Sequence, residues 1–162
     1  ITTPLGEVIR DDEGMRLEFV RTFPDPIERV WSAVTDPDEL AVWFGSWRGD
    51  PSTGTIEVCA IEGDGTFQPA EIVQCEKPRA VSIVLPSPDG PWPLSVALSE
   101  ADGVTTMVFA HRLAEPYDAT SVGPGWHYYM DRLAAVVSGN TMPEGTDWPL
   151  YEPLGALYPL PA

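Results

Sequence analysis

Two histidines, His111 and His127, are the only imidazoles in the chain, which makes them the first candidates for moving a proton near neutral pH. Neither belongs to a motif that prepares a nucleophile or cradles a phosphate: there is no G-x-S-x-G elbow, no H-E-x-x-H and no glycine-rich phosphate loop. His111 falls near the end of an alternating apolar run, on its inward side. That position fits a hydrogen-bonded core histidine, and it also fits a ligand contact or an acid/base. His127 directly follows Trp126, so on a helix it points away from the main apolar stripe and toward the surface. Cys59 and Cys75 form no C-x-x-C pair, and a hairpin register would set Cys59 opposite the neighbourhood of Gln68, so buried reduced thiols are expected.

Carboxylates cluster in loops, at Asp11-Asp12-Glu13, at Asp36 with Asp38 and Glu39, and at Glu62 with Asp64. With no His or Cys at ligand spacing they define no metal site, and no cofactor is expected. Asp36, Asp38 and Glu39 read as a cap and first-turn charges of a helix, and Asp131-Arg132 as a surface or helix–sheet ion pair. The aromatic residues carry more information. Six tryptophans is a high count for this length, and rings with polar tips suit the walls of a small-molecule pocket as well as a filled core.

The element that must position them is Gly123 to Gly139, GPGWHYYMDRLAAVVSG. Gly123 reads as its N-cap, Pro124 as the first helical residue and Gly139 as the stop. Trp126, Tyr129, Met130, Leu133, Val136 and Val137 recur at helical spacing, and the helix would run roughly 24 Å. Before it, Leu5 to Ile9, a DDEG turn and a strand Met15 to Phe23 place Leu17, Phe19, Arg21 and Phe23 on one inward face. Arg21 is expected to snorkel to a carboxylate such as Glu28. Asp25 then caps a helix begun by Pro26, with Ile27, Val30, Trp31 and Val34 as its stripe. Asp38 to Phe44 is a second short helix. Gly45 to Gly54 reads as a polar, turn-rich connection.

From Gly54 the punctuation is that of an antiparallel meander: Thr55 to Ile61, a turn at Glu62 to Gly65, Thr66 to Cys75, Ala80 to Leu85, a loop from Pro86 to Pro91, Trp92 to Ser99, a turn at Glu100 to Gly103, and Val104 to Arg112. Alternation aligns Val81, Ile83 and Leu85; Leu94, Val96 and Leu98; and Met107, Phe109 and His111. A flexible stretch from Ala114 to Val122 leads into the long helix. The Pro-rich tail after Gly139 carries Trp148, Tyr151, Leu154, Leu157 and Tyr158, which are expected to pack on the body or on a partner.

The 162 residues suit one domain, 1–162, with 140–162 as its packed tail. A formal charge of −16 repels phosphate backbones and anionic lipid, so nucleic acid is not an expected partner. No apolar run is long enough for membrane insertion. The amino end shows no export signal, which points to the cytoplasm.

The order strand, two helices, meander, long helix resembles the helix-grip fold of the START-like or SRPBCC superfamily, an α+β fold in which a curved antiparallel sheet wraps a C-terminal helix. RTFPDPIERVWSAVTDPDELAVWFG (Arg21 to Gly45) and GWHYYMDRLAAVVSG (Gly125 to Gly139) are similar to the bacterial branch of the AHSA-like family, the activator-of-heat-shock-protein-ATPase homologues. So are LGEVIRDDEG (Leu5 to Gly14) and TDWPLYEPLGALY (Thr146 to Tyr158). The resemblance implies a cavity between sheet and helix. Its relatives include binders of lipids, hormones and polyketides, aromatase/cyclases, and a eukaryotic co-chaperone domain that works with a further N-terminal domain.

The expected function is therefore binding of a small, largely hydrophobic or aromatic molecule without a cofactor. Phe109, His111, Trp126, Tyr129, Met130 and Leu133 are the expected walls, with Phe67 and Trp92 from the sheet, and Trp43, Phe44 and Trp47 nearer the mouth. One alternative is a cyclase- or hydrolase-like enzyme using His111 or Tyr129 as proton carrier and Arg21 as orienting charge. Another is an interaction or co-chaperone-like module, with the tail packing on a second chain as a homodimer.

Overall fold

Period-two alternation between turn residues builds eight strands: β1 (Glu7–Asp11), β2 (Gly14–Phe23), β3 (Gly45–Arg48), β4 (Thr55–Ala60), β5 (Gln68–Glu76), β6 (Ala80–Leu85), β7 (Trp92–Ala101) and β8 (Val104–Leu113). The computed structural model describes residues 5–61, 65–87, 90–114 and 119–158, and of residues 120 and 121 the backbone alone. All eight strands join one curved antiparallel sheet in the order β1-β2-β8-β7-β6-β5-β4-β3. The α-helices are α1 (Ile27–Thr35), α2 (Pro37–Trp43), α3 (Ala119–Ser138) and, in the tail, the single turn α4 (Trp148–Tyr151). Residues 62–64 of the expected turn at Glu62 to Gly65, the centre of the Pro86 to Pro91 loop and residues 115–118 before α3 lie outside the described residues. Among the described residues no helix is long and apolar enough to cross a membrane.

Register makes one continuous inward face. Leu17 opposes His111, Phe19 opposes Phe109 and Arg21 opposes Met107; His111, Phe109 and Met107 in turn oppose Leu94, Val96 and Leu98. Val96 and Leu94 oppose Val81 and Ile83. Directly opposed residues share a face, so the apolar sets read from alternation meet across four strands, β2, β8, β7 and β6. The β7–β8 turn uses Asp102 and Gly103 at φ 53° and 78°, the paired positive angles that match the twist of a two-residue hairpin.

Several local readings change in the folded chain. Asp25 does not cap α1: the Ile27 N–H donates instead to Glu100 Oε1 at 2.6 Å, from the end of β7, and the Asp25 carbonyl accepts from the Thr105 hydroxyl at 2.7 Å. A distant carboxylate has replaced a local one. The cap of α2 is as expected, with Asp36 Oδ1 accepting from the Asp38 and Glu39 N–H groups. Gly45–Arg48 is a strand, because pairing with β4 recruits it as the sheet's edge. Cys59 is half-buried and Cys75 exposed, both free thiols, so neither is the buried thiol expected.

Helix α3 begins at Ala119, and Pro124 lies inside it. As the sixth residue of α3 the proline lies past the first turn, so it deletes the backbone hydrogen bond that residue 124 would donate to the carbonyl of residue 120. Gly123 is thus not the N-cap. Its role is spatial: a Cβ there would stand 2.6 Å from the Tyr158 ring. Tyr158 and Tyr151 are buried, so the tail packs on its own chain. The Tyr151 hydroxyl donates to Asp131 Oδ2 at 2.7 Å, and the Tyr158 hydroxyl accepts from the Gly6 N–H at 3.2 Å.

Gly123→Ala tests that contact. Helix propensity alone would stabilise the variant by about 0.5–1 kcal/mol, whereas overpacking costs about 1–3 kcal/mol. Urea unfolding should show net destabilisation of about 1 kcal/mol; a stabilised variant would mean that the Tyr158 ring is not seated there.

Candidate functional site

A single helix cannot cover this sheet. Eight strands at about 4.8 Å spacing span more than about 30 Å, and a helix with its side chains is only about 10–12 Å across. On the β1–β2 side of α3 the tail fills the gap. On the other side α1 and α2 form a roof over β4 to β8, and the enclosed space is a cavity of about 520 Å³. Arg29 of α1 ties this roof together, pairing with Glu39 of α2 and donating to the Val136 carbonyl of α3 at 2.8 Å.

The cavity floor is the inward face of the sheet, with Ile56, Val58, Ile72, Val81, Ile83, Leu94, Val96, Met107 and Phe109. The roof supplies Trp31, Val34, Leu40, Trp43 and Phe44, the edge strand β3 supplies Trp47, and α3 supplies Trp126, Met130 and Leu133. Three of the four lining tryptophans have their N–H groups tied back into the protein. The Trp43 indole N–H donates to the Ala33 carbonyl at 2.8 Å, that of Trp47 to the Thr35 carbonyl at 2.8 Å, and that of Trp126 to His111 Nδ1 at 3.0 Å. With those donors satisfied in the wall, an apolar guest leaves none of them stranded.

Trp126 is the centre of the aromatic wall. Its ring lies 4.5 Å from Phe109, 5.8 Å from Phe44 in a stacked arrangement, and 5.8 Å from Tyr129. The sequence-predicted residues Trp43, Phe44, Trp47, Phe109, Trp126, Met130 and Leu133 line the cavity. Phe67, Trp92, His111 and Tyr129 do not. Phe67 precedes β5 and lies under the Arg48 guanidinium at 3.9 Å. Trp92 packs on His111 at 4.7 Å, away from the lining, with Trp126 at 6.3 Å. Tyr129 borders a separate small groove with Gly125, Tyr128, Gly145 and Trp148.

His111 is 3% exposed, held between the Trp92 ring and the Trp126 N–H, and burial lowers its pKa to about 4. At neutral pH it is an uncharged hydrogen-bond acceptor for Trp126, a positioning role. His127, expected at the surface, is fully buried at 0%. It faces the tail, with Nε2 3.7 Å from Asp131 Oδ2 and the Tyr151 ring 5.9 Å away.

Arg21 is likewise buried, at 5% exposed, so it does not snorkel to Glu28, which is exposed. Burial pulls its pKa down while the charge of Asp131 supports it. Asp131 and Arg132 do not act as one surface ion pair. Asp131 turns to Tyr151, while Arg132 donates to the Trp43, Val42 and Pro143 carbonyls at 3.1, 2.9 and 2.5 Å. It thereby clamps the end of α2 and the tail to α3.

Sequence reasoning missed the roof residues Trp31 and Val34 as lining, and the floor residues of β4 to β7. Alternation had already placed Val81, Ile83, Leu94 and Val96 on one face, so that signal was available. It also missed Cys75 and Lys77, which reach the cavity through an irregularity of β5 that carries no sequence mark. Among the described residues, no group of three His, Cys, Asp or Glu side chains could hold a metal ion.

Residues 25–138 match the family model described as Activator of Hsp90 ATPase homolog 1-like protein. Solved structures share the fold. CalU16 from Micromonospora echinospora superposes with a TM-score of 0.75 at 22% identity, covering 94% of this chain and 92% of that one. The protein encoded by BPP1335 of Bordetella parapertussis gives 0.73 at 24% identity, covering 99% and 97%. DynU16, a protein in the dynemicin biosynthetic locus, gives 0.67 at 23% identity, covering 80% of this chain and 49% of that one. No curated protein matches the sequence.

The environment of His111 gives a pH signature. Its folded pKa of about 4 lies below the ordinary 6.5, so the unfolded chain takes up the proton first as pH falls. The stability of the neutral form is complete above about pH 6.5 and declines toward pH 4, by roughly 3 kcal/mol in total. His111→Asn, whose amide oxygen can accept from Trp126 without titrating, should flatten that limb relative to wild type in urea unfolding between pH 4 and 7. Parallel profiles would contradict the assignment.

Proposed function

We propose that this chain, which belongs to the Activator of Hsp90 ATPase homolog 1-like family, binds a small, largely hydrophobic or aromatic molecule in the cavity between α3 and the sheet. The observation that carries this reading is a void of about 520 Å³ bounded almost wholly by apolar side chains, with the Trp43, Trp47 and Trp126 N–H groups already satisfied. Its volume falls within the range of about 300–1,000 Å³ usual for ligand sites. Rings lining one side suit a flat or polycyclic guest, and every apolar Å² removed from water contributes about 25 cal/mol. That DynU16 is a protein in the dynemicin biosynthetic locus supports trying biosynthetic small molecules first.

A cyclase- or hydrolase-like reaction finds less support. His111 accepts from Trp126 in the wall, Tyr129 borders another groove, and Arg21 is engaged on the tail side of α3 with Asp131 and Tyr158. An interaction module built on the tail also finds less support, because Tyr151 and Tyr158 are buried within the chain.

A thermal-shift screen of lipids, flavonoids and polyketide-like aromatics tests the reading. A ligand at a hundredfold excess over its Kd adds about 2.7 kcal/mol, a rise of several degrees for a chain of this size. The double variant Val81→Phe/Val96→Phe, which fills the floor, should abolish that rise while leaving the unliganded protein within about 1–3 kcal/mol of wild type. No shift from any compound, or an unchanged shift in the filled variant, would refute cavity binding.

A further inference from the structure

Among the described residues one charged side chain lines the cavity, Lys77, and Lys77 is the single lysine of the chain. Its side chain is exposed at the rim, while among the described residues no Asp or Glu lines the space. A specific feature of the backbone puts it there. β5 pairs with β6 through Ile72 opposite Ile83, and then, past a bulge, through Gln74 opposite Ser82 and Cys75 opposite Val81. Val81 and Ile83 both line the cavity, so their partners Ile72 and Cys75 share that inward face.

Without the bulge, plain alternation from Ile72 would turn Gln74 and then Glu76 inward. The extra residue, Val73, is left 62% exposed and resets the parity, so that Cys75 and Lys77 reach the cavity instead. Re-aiming side chains beside a site is a recurrent use of bulges. Here it exchanges an anion for a cation at the mouth of an apolar space.

We propose that the ligand of this cavity is an amphipathic anion, an apolar body with a terminal carboxylate that pairs with Lys77 at the rim. This rests on the cavity-binding reading above. The apolar interior would tolerate no buried carboxylate without a partner, whereas at the rim the charge keeps contact with water while the body is buried. The chain's net charge of −16 does not decide the matter, because at physiological ionic strength interactions are screened beyond about 8 Å. The local cation therefore governs.

The probes are decanoate, decanol and decylammonium below their micelle-forming concentrations, titrated calorimetrically into wild type, Lys77→Gln and Lys77→Glu. The expected result is that wild type binds decanoate roughly fivefold more tightly than decanol. The preference should vanish in Lys77→Gln, turn toward decylammonium in Lys77→Glu, and shrink in about 1 M salt. Equal binding of decanoate and decanol by wild type, or a preference that survives in Lys77→Gln, overturns the role of Lys77 and leaves cavity binding standing. If none of the three binds, this inference is overturned, and cavity binding stands or falls separately by the thermal-shift screen.

Discussion

The packing of one helix against a sheet much wider than itself is the constraint from which the rest of this structure follows. Helix α3 lies in the hollow of an eight-stranded sheet, and its stripe of Trp126, Met130, Leu133 and Val137 is buried against the inward face. The apolar floor on either flank still needs cover. The two flanks are closed in different ways, and the difference separates structure from function. On the β1–β2 side, the chain returns after α3 and lays Tyr151 and Tyr158 into the gap. On the β4–β7 side, α1 and α2 span the gap as a roof without filling it.

The filled flank is polar at its heart. Arg21, His127 and Asp131 are all buried there, with the Tyr151 hydroxyl on Asp131 and burial pushing that hydroxyl's pKa up. Charges in such a place are costly unless they are held in a well-bonded arrangement, and the tail supplies part of that arrangement. The open flank has the opposite chemistry. The Trp43, Trp47 and Trp126 donors are tied back into the wall, and its inner surface is mostly apolar. Arg132 connects the two sides, since its donors reach both the end of α2 and the tail at Pro143. A disturbance of the tail therefore has a direct route to the roof of the cavity.

Much of the fold was legible because its signals are local. Alternation in β6, β7 and β8 placed the inward residues correctly, and their pairing across strands followed from the Asp-Gly turn and short connections. The short α2, with Asp36 as its cap, was equally plain. What was not legible depended on partners far apart in sequence. Glu100 caps α1 from the end of β7, 73 residues away in sequence, Gly123 leaves room for a ring 35 residues later in the sequence, and His127 looked like a surface residue because Phe19 of β2 and Tyr151 of the tail, which pack on it, are distant in sequence. The site divided along the same line. Residues on regular stripes, such as Trp43, Phe109, Trp126 and Leu133, reach the cavity. Lys77 reaches it through a bulge that alternation cannot foresee, and Tyr129 and Trp92 miss it although their spacing and type suit a wall.

The central claim is that the flank under α1 and α2 is an open apolar space, while the flank under the tail is closed. A crystal pressurised with xenon tests this directly, because xenon enters dry apolar voids and reports their position. Xenon density should appear bounded by Trp126, Phe109, Met130 and Val96, with none between Phe19, His127 and Tyr158. Absence of xenon beside Trp126, with Phe44 and Trp126 collapsed onto the floor, would contradict it.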